Sequence, residues 1–383
     1  MALPVFLEYR NANSSLNGIY PASPVRFMIY GRGTANNLKE TIKKIGASKA
    51  FIITGNSLAT KTPVIADIER TLGDAHAGTF SGIGQHTPIA DIRQASKLVQ
   101  ESRADVLISV GGGSPIDAAK TIAYQIHETT SRWIPSIAVP TTLSVAETTM
   151  NAGYTNDEGH KVAVSHAEVV PKVVVYDGDV ALHTPIKLWT STGLRAVDHA
   201  VELMYHPLAS EVPTKRMALI ALNDLFRFLP LSKDKPDDPD IRQALLLAAY
   251  SSLFPFLYTG GVGLSHSIGH SIGSTYGIPH GITSCMSLAP VVHHKADTDP
   301  EAASQVARIL PYIGRTSSGN VQKDAHAVAS AIFDLVKSLG LQSTLTEYNV
   351  PPGDEPAIAA RALGNKKDHP DWDTVEKIAH DLY

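Results

Sequence analysis

Short apolar runs alternate with longer amphipathic stretches in the first half of the chain. The apolar runs are rich in β-branched residues, most end at glycine, and they lie at residues 27–31, 50–55, 105–113, 136–142 and 172–178. This pattern is typical of buried strands. The stretches between them repeat apolar residues every three or four positions and predict helices at residues 37–46, 62–74 and 86–104. Strands separated by helices of this length predict a parallel sheet covered by helices.

After about residue 185 the pattern becomes purely helical. Seven stretches with helical spacing follow, at residues 190–206, 212–230, 239–258, 262–275, 301–312, 321–339 and 355–363. Clusters of Pro, Gly and Asp separate them, and the charge-rich segment 233–240 is typical of a solvated turn. The pattern predicts an α/β domain over residues 1–183, followed by an all-helical domain over residues 184–383.

Composition narrows the class of protein. The 383 residues are 43% hydrophobic and 18% charged, which is typical of globular domains with sizeable cores. A net charge of -4 gives no electrostatic footprint for nucleic acid or an anionic membrane. The opening segment lacks the pattern of a signal peptide, and the single cysteine, Cys285, fits a reducing compartment. We therefore expect a cytoplasmic enzyme with a small-molecule substrate.

A glycine-rich segment, SVGGGSPIDAAK at residues 109–120, follows one predicted strand and opens a helix. Consecutive glycines let backbone N–H groups approach a ligand, and a helix N-terminus adds partial positive charge. Ser114 is a candidate cap for this helix, and we expect Asp117 in its first turn. The segment does not match the GxGxxG pattern. On residues alone, both a phosphate site and a purely structural turn remain open.

Three histidines lie among small residues in GLSHSIGHSIGSTYGIPHG, at residues 263–281. His266 and His270 are four apart and share one face of a helix. Gly277 and Pro279 end that helix and can turn His280 back towards the same place. Such a cluster fits three roles: binding a divalent metal, transferring protons, or forming hydrogen bonds inside a core.

The motifs GGGSPIDAAK, VPTT at residues 139–142 and the histidine segment resemble the iron-containing alcohol dehydrogenase family in order and spacing. PTTLSVAE at residues 140–147 is similar to the shorter loop of the maleylacetate reductase branch of that family. The resemblance implies a Rossmann-like, dehydroquinate synthase-like sheet domain and an all-α C-terminal domain. It also implies a nicotinamide cofactor in the cleft between them and a homodimer.

The resemblance assigns candidate cofactor residues. The pyrophosphate would be held by Gly111, Gly112, Gly113 and Ser114, with Asp117 nearby. The residues lining the nucleotide would be Thr141, Thr142, Lys161 and Leu182. The adenosine ribose would face Gly55, Asn56 and Ser57. Many family members carry an aspartate where Gly55 lies. Without that carboxylate a 2′-phosphate is not repelled, which favours NADPH over NADH.

The resemblance also implies a metal site, from which this chain departs. Residues matching His266 and His280 are metal ligands in the family, and the residue matching His270 lies close to the substrate. The other two family ligands form an Asp-x-x-x-His pattern, for which GLRAVDHAVE at residues 193–202 offers His199 but places Arg195 first. A guanidinium cannot coordinate a cation. Maleylacetate reductase-like members also lack the aspartate.

Two hypotheses follow from this departure. In the first, Arg195 replaces the metal and binds a carboxylate or a developing alkoxide, with His199, His266 and His280 as hydrogen-bond donors and His270 as proton relay. In the second, Fe or Zn is bound by His199, His266 and His280, with Asp198 as the carboxylate. Asp198 points about 100° away from His199 on an ideal helix, so we expect it to pair with Arg195 instead. The repulsion between a divalent ion and an arginine favours the metal-free hypothesis.

The sequence thus predicts an NAD(P)H-dependent reductase of a carbonyl or enone, similar to maleylacetate reductase, with a substrate that bears carboxylates. The alternatives are a metal-dependent alcohol or aldehyde dehydrogenase, a non-redox lyase or cyclase on the same fold, and a non-catalytic binding protein. His293 and His294 are expected to form a surface pair. His86 has no partner at an informative spacing, and Cys285 is expected to be a buried small residue.

Overall fold

A computed structural model describes residues 20, 22–255, 258 and 261–383, so the opening segment lies outside the described residues. Six strands form one parallel sheet in the order β1-β8-β5-β4-β2-β3. These strands are β1 Phe27–Tyr30, β2 Ala50–Thr54, β3 His76–Phe80, β4 Val106–Gly111, β5 Ser136–Pro140 and β8 Val173–Tyr176. The α/β class and the parallel sheet predicted from the sequence are confirmed, and all five predicted strands are present.

Two strand features were not predicted. The edge strand β3, with the sequence HAGTF, is only half-buried over most of its length, so it lacks the apolar run that marks the central strands. An antiparallel hairpin also forms outside the main sheet, from β6 Asn151–Thr155 and β7 Lys161–Ser165. It packs on α5 and completes one wall of the cleft described below.

Helices cover both faces of the sheet in the first half of the chain. They are α1 Leu38–Lys44, α2 Asn56–Lys61, α3 Val64–Leu72, α4 Ile89–Ser102 and α5 Gly113–Thr130. One apolar core lies under α1 and α3, and the other lies under α4 and α5. Both are built from strand residues that alternate between the two faces of the sheet.

Every described element after β8 is helical. These helices are α6 Gly178–Ala181, α7 Ile186–Tyr205, α8 Arg216–Asp234, α9 Pro239–Ser252, α10 Leu264–Tyr276, α11 His280–Thr298, α12 Pro300–Ala307, α13 Val321–Leu339, α14 Glu355–Ala362 and α15 Trp372–Asp381. The change to an all-helical region is confirmed, whereas a domain division at residues 183 and 184 stays a prediction. Among the described residues, no helix has the length and apolar character needed to span a membrane.

Several predicted helix bounds were wrong. Helix α8 continues through Pro230 to Asp234 and α9 begins at Pro239, so half of the expected turn at 233–240 is helical. The predicted helix 301–312 is two pieces, α12 and a short 3-10 turn at Leu310–Ile313. Helix α9 ends at Ser252, and residues 256 and 257 of its predicted C-terminal end lie outside the described residues. Helices α11 and α15 were not predicted.

The buried helix α7 organises the second half of the chain. It packs against α8, α9, α11 and α12, and almost all of its residues beyond the first turn are buried. Trp189, near its start, is fully buried, with the Arg242 guanidinium 4.4 Å from the ring centroid. Because α7 is enclosed, a polar side chain on it that lacks a partner within the protein costs free energy.

Candidate active site

The loops that follow β2, β4 and β5 lie at one edge of the sheet, because parallel strands end on the same side. After β2 the chain adds β3 on one side of β2, and then adds β4 and β5 on the other side, so the order of strand addition reverses between β2 and β4. In open α/β sheets, ligands bind outside the carboxyl ends of the strands at such a switch point. The predicted cofactor segments, Gly55–Ser57, Gly111–Ser114 and Thr141–Thr142, all follow these strand ends.

The glycine turn at the start of α5 is tightly packed and has an uncapped helix N-terminus. Gly111 has φ +141°, and a Cβ on Gly112 would lie 3.1 Å from the Thr142 side chain. Gly112 is the N-cap residue, and among the described residues no side chain caps the helix. The expectation that Ser114 caps it was wrong. The first-turn N–H groups therefore remain available, as an anion at a helix N-terminus requires.

Other predicted cofactor residues surround this turn. The Thr141 N–H donates to the Gly111 carbonyl at 2.9 Å, and the Thr184 hydroxyl donates to the Thr141 carbonyl at 2.6 Å. Leu182, two residues before Thr184, is half-buried beside this strand end. Asn56 and Ser57 are exposed at the start of α2, directly after Gly55.

Asp117 and Lys161 lie where the β6–β7 hairpin approaches the glycine turn. Asp117 lies beyond the first turn of α5, contrary to expectation, and accepts from the Gly153 N–H at 3.3 Å. Burial raises the pKa of Asp117, although the nearby ammonium groups of Lys120 and Lys161 oppose the shift. Lys161 donates from Nζ to the His86 carbonyl at 3.1 Å, and burial lowers its pKa. Lys161 thus joins the nucleotide side of the cleft to the histidine side.

Arg195 lies at the bottom of the histidine cluster and is only 7% exposed. Its Nη1 donates to the Ser284 hydroxyl at 3.2 Å and lies 3.7 Å from Asp198 Oδ2. The predicted ion pair with Asp198 is therefore present. Ser284 is the hydrogen-bond partner that we find for Arg195 among the described residues, so Nε and Nη2 remain for a ligand. Burial lowers the pKa of Arg195, opposed by Asp198.

His266 is held by two carboxylates from α7. Its Nδ1 lies 2.6 Å from Glu202 Oε2 and 3.4 Å from Asp198 Oδ1. Burial and Arg195 lower the pKa of His266, but the two carboxylates outweigh them and raise it overall. On the other side of the ring, Nε2 is buried and has no partner among the described residues.

The other histidines lie around the same space. The His199 ring centroid is 4.7 Å from that of His266, and the His280 centroid is 5.2 Å from that of His270. Buried Nδ1 atoms of His199 and His280 lack a hydrogen-bond partner in the part of the chain that the structure describes. Burial, followed by neighbouring positive charge, lowers the pKa of both rings well below the ordinary value.

His270 lies at the open side of the cluster. Its side chain is open to the cleft, yet protein atoms crowd it on the other sides. This crowding, followed by the charge of Arg195, lowers the pKa of His270 well below its ordinary value. This shift favours the neutral ring at pH 7.

His86 belongs to the cluster, although its sequence position gave no sign of this. It lies in the loop after β3 with φ +61°, and its ring meets His280 edge-on with the centroids 5.3 Å apart. Its Nε2 is buried without a partner among the described residues. Burial and Lys161 lower the pKa of His86.

The described side chains form a graded cleft. His270 is exposed, His86 and His280 are half-buried, and His199, His266 and Arg195 are buried at the floor.

Two other sequence-based expectations concern residues outside this cleft. His293 and His294 were predicted to form a surface pair, but only His293 is exposed; His294 is half-buried and lies 3.5 Å from Asp371. Cys285 is half-buried rather than buried as expected, and burial raises the pKa of its thiol, which is the reverse of an activated thiol.

Comparison with known proteins identifies the family. The family model for iron-containing alcohol dehydrogenase matches residues 25–178, and that for the C-terminal part of the Fe-containing alcohol dehydrogenase family matches residues 189–381. The chain belongs to the iron-containing alcohol dehydrogenase family. It is accordingly a nicotinamide-dependent oxidoreductase that acts on a small molecule.

Similar members of the family include reductases. The chain is 30% identical to a maleylacetate reductase of Sphingobium indicum over 94% of this chain and 95% of the relative. It is 27% identical to a lactaldehyde reductase of Escherichia coli over 87% and 90%, respectively. The crystal structure of maleylacetate reductase from Rhizobium sp. strain MTP-10005 superimposes with a TM-score of 0.80 at 25% identity, covering 96% of this chain and 98% of that one.

The glycine turn fits the family's nicotinamide cofactor. The uncapped N-terminus of α5 suits a pyrophosphate group. Glycine at position 112 lets this turn pack against Thr142, whose side chain would lie 3.1 Å from a Cβ. On this fit, the residues that would hold the cofactor are Gly111, Gly112, Gly113, Ser114 and Thr142 around the pyrophosphate. When bound, such a cofactor supplies a hydride.

The histidines do not fit the family's metal site as they stand. Among the described residues, Asp198, Glu202 and His266 form the one group of three His, Cys, Asp or Glu residues whose ligand atoms all lie within 4.8 Å of one another. That group does not include His199 or His280. Several of its atoms are already engaged, because Asp198 Oδ2 accepts from Ser265 and Ser284, and Glu202 Oε2 lies 2.6 Å from His266 Nδ1. Asp198 Oδ1 and His266 Nε2 have no hydrogen-bond partner among the described residues. The guanidinium of Arg195 also places a positive charge beside these atoms.

Proposed function

We propose that this protein reduces a carbonyl or enone in a small carboxylate-bearing substrate with NAD(P)H and without a metal ion, and that maleylacetate or a close analogue is the substrate. The observation that carries the proposal is Arg195, a buried guanidinium at the floor of the histidine cluster with N–H groups to spare. The similarity to maleylacetate reductases supports the substrate class.

Arg195 supplies the positive charge that this reaction needs. Hydride arrival at an electron-poor carbon moves an electron pair onto the conjugated oxygen, and the guanidinium binds that oxygen or a neighbouring carboxylate. Asp198 and Ser284 fix the orientation of the guanidinium before substrate arrives. Preorganised donors of this kind stabilise the transition state without rearrangement during the reaction.

The histidines handle the proton. Reduction of the substrate consumes one hydride and one proton, so a proton must reach the product after hydride transfer. We assign the relay to His270, because its side chain is exposed and its ring centroid lies 5.2 Å from that of His280. A neutral imidazole accepts a proton at one nitrogen and releases one from the other. His199, His266 and His280 contribute hydrogen bonds around the substrate, and His86 extends this wall.

Finer features of the protein remain proposals. NADPH is favoured over NADH, since Gly55 leaves the exposed start of α2 without a carboxylate near the ribose. A homodimer and a cytoplasmic location stay predictions. A non-redox lyase or cyclase function would consume no NAD(P)H in the presence of the true substrate.

Steady-state kinetics of Arg195 variants test the proposal. With maleylacetate and NADPH, Arg195→Ala should raise KM, lower kcat and reduce kcat/KM by about 100-fold or more. Arg195→Lys keeps the positive charge but lacks the planar guanidinium, so its kcat/KM should lie between those of wild type and Arg195→Ala. Arg315→Ala, an exposed arginine paired with Asp334, is the matched control and should leave the kinetics unchanged. An unchanged kcat/KM in Arg195→Ala would refute the role of Arg195.

A further inference from the structure

Glu202 is a buried carboxylate that the sequence analysis did not single out. It lies on α7 one turn after Asp198, and none of its surface is exposed. Its Oε1 accepts from the Ser265 backbone N–H at 2.7 Å, and its Oε2 lies 2.6 Å from Nδ1 of His266. Both carboxylate oxygens are therefore engaged at the start of α10.

This contact determines which nitrogen of His266 carries a hydrogen. Burial and the charge of Asp198 raise the pKa of Glu202, whereas His266 lowers it. In the ion pair of Glu202 with His266 the carboxylate only accepts hydrogen bonds, so Nδ1 is the donor. The opposite nitrogen, Nε2, is buried and has no partner among the residues that the structure describes. It lies on the side of the ring away from the carboxylates. A histidine whose second nitrogen is fixed by a carboxylate has a defined tautomer and ring orientation.

The backbone is shaped to admit this carboxylate. Gly263 precedes α10 in an extended conformation that any residue adopts, with φ of -178°. A Cβ at this position would lie 2.5 Å from both Cδ and Oε1 of Glu202. Glycine is thus required here for space, and its absent side chain lets Glu202 reach both Ser265 and His266.

We propose that Glu202 is a positioning residue that fixes His266 as the Nδ1–H form with Nε2 directed into the substrate cleft. Its effect on catalysis rests on the proposed function, whereas its effect on the tautomer does not. Asp198 supports the same nitrogen from 3.4 Å, and Ser287 holds the Ser265 hydroxyl at 2.9 Å. The two carboxylates on one face of α7 therefore act through His266 and do not touch the substrate.

The substitution Glu202→Gln changes the tautomer while preserving shape. A glutamine amide has one acceptor and one donor group. The Ser265 N–H should donate to the glutamine oxygen, which leaves the glutamine NH₂ group facing Nδ1 of His266. Nδ1 must then accept a hydrogen bond, so the hydrogen of His266 moves to Nε2. Gly263→Ala should displace Glu202 by a steric clash, so that the His266 ring loses its contact with the Glu202 carboxylate. Glu202→Asp keeps the charge at a shorter reach and should restore part of the wild-type behaviour.

Nitrogen-15 NMR of histidine-labelled protein reads the tautomer directly, without substrate or cofactor. His266→Asn assigns the signals, and Glu301→Gln, at an exposed position on α12, is the control. We expect the Nδ1–H form in wild type and in Glu301→Gln, and the Nε2–H form in Glu202→Gln. An unprotonated Nδ1 in wild type, or an unchanged spectrum in Glu202→Gln, would overturn the proposal whatever the substrate is.

Kinetics then test the consequence of the tautomer. We expect kcat in Glu202→Gln to fall about 100-fold or more with a much smaller change in KM, as for a wrong tautomer at other histidine sites. Partial recovery in Glu202→Asp should accompany partial return of the Nδ1–H form. A switched tautomer with unchanged kcat would overturn the positioning role. Failure of wild type to reduce maleylacetate would instead count against the proposed function and leave the NMR result standing.

Discussion

Arg195 shows how one residue changes the character of a pocket. Its charge contributes to lowering the pKa of His199, His270 and His280 and opposes protonation of His266. A metal-binding pocket needs ligands that converge on a cation, whereas this pocket converges on a fixed guanidinium. The same histidines therefore surround a site suited to anions.

Gly55 provides a prediction about the cofactor at the residue scale. A Cβ at this position would lie 3.4 Å from the Ile83 carbonyl, so a side chain fits without a severe clash. Gly55→Asp should place a carboxylate where a 2′-phosphate would bind and repel it. We expect the ratio of kcat/KM for NADPH to that for NADH to fall at least about tenfold. Gly55→Ala is the matched control, and an equal loss with both cofactors would contradict the assignment.

Sequence analysis missed Glu202 and His86, and only Glu202 has a helical spacing that could have revealed it. Asp198 and Glu202 are four apart on a helix, and this spacing places them on one face. Asp198 was predicted as the partner of Arg195, but Glu202 was missed and could have been found by asking what lies opposite His266. His86, in contrast, reaches the site through a loop after a half-buried edge strand. Its contact with His280 spans the two halves of the chain, and local spacing carries no information about it.

At the scale of elements, the site depends on how closely α7, α10 and α11 approach one another. A Cβ on Gly281 would lie 2.5 Å from the Ser191 carbonyl group, so α11 rests directly on the α7 backbone. Gly281→Ala should push α11 and His280 away from α7. We expect a loss of about 1–3 kcal/mol in the free energy of unfolding, together with reduced kcat.

Chemical denaturation with urea measures the loss in Gly281→Ala. Gly261→Ala is the matched control, since the nearest described atom to a Cβ there is the Ser267 hydroxyl oxygen at 3.9 Å. Equal stability of the two variants would show that the close contact between α7 and α11 is not required.

Elements were predictable where packing imposes a simple pattern. The central strands are buried on both faces, so their sequences are continuous apolar runs. Helix α11 was missed because HGITSCMSLAPVV combines glycine, serine, β-branched residues and Pro290, all weak helix formers. Tertiary burial between α7 and α13, rather than local propensity, makes this segment helical. The hairpin of β6 and β7 is short and mostly half-buried, so it gives only a weak strand signal.

At the scale of the whole molecule, the buried neutral histidines link stability to pH. The folded-state pKa of His199 lies well below its ordinary value, so the unfolded chain binds more protons than the folded protein as pH falls below about 6.5. The stabilising contribution is present at neutral pH and is lost towards acid pH. Its slope reaches about 1.4 kcal/mol per pH unit for one fully shifted group.

The cofactor-free protein should show this linkage in urea denaturation at pH 7.5 and 5.5. His199→Gln removes one titrating group and should reduce the loss of stability on acidification. His266 contributes in the opposite direction, because its pKa is raised; its stabilisation is present at acid pH and is lost as pH rises through the folded-state value. A loss of stability in His199→Gln equal to that of wild type over this pH range would contradict the neutral state of His199.

The central claim is that Arg195 takes the place of a metal ion. Elemental mass spectrometry of metal per chain, on protein purified without an affinity tag or chelator, tests it most directly when paired with an activity assay in chelator. We predict Fe and Zn far below one per chain and undiminished reduction of maleylacetate. Arg195→Asp restores the Asp-x-x-x-His spacing and should gain metal under the same conditions. Near-stoichiometric Fe or Zn in wild type, with activity lost to chelator, would contradict the account.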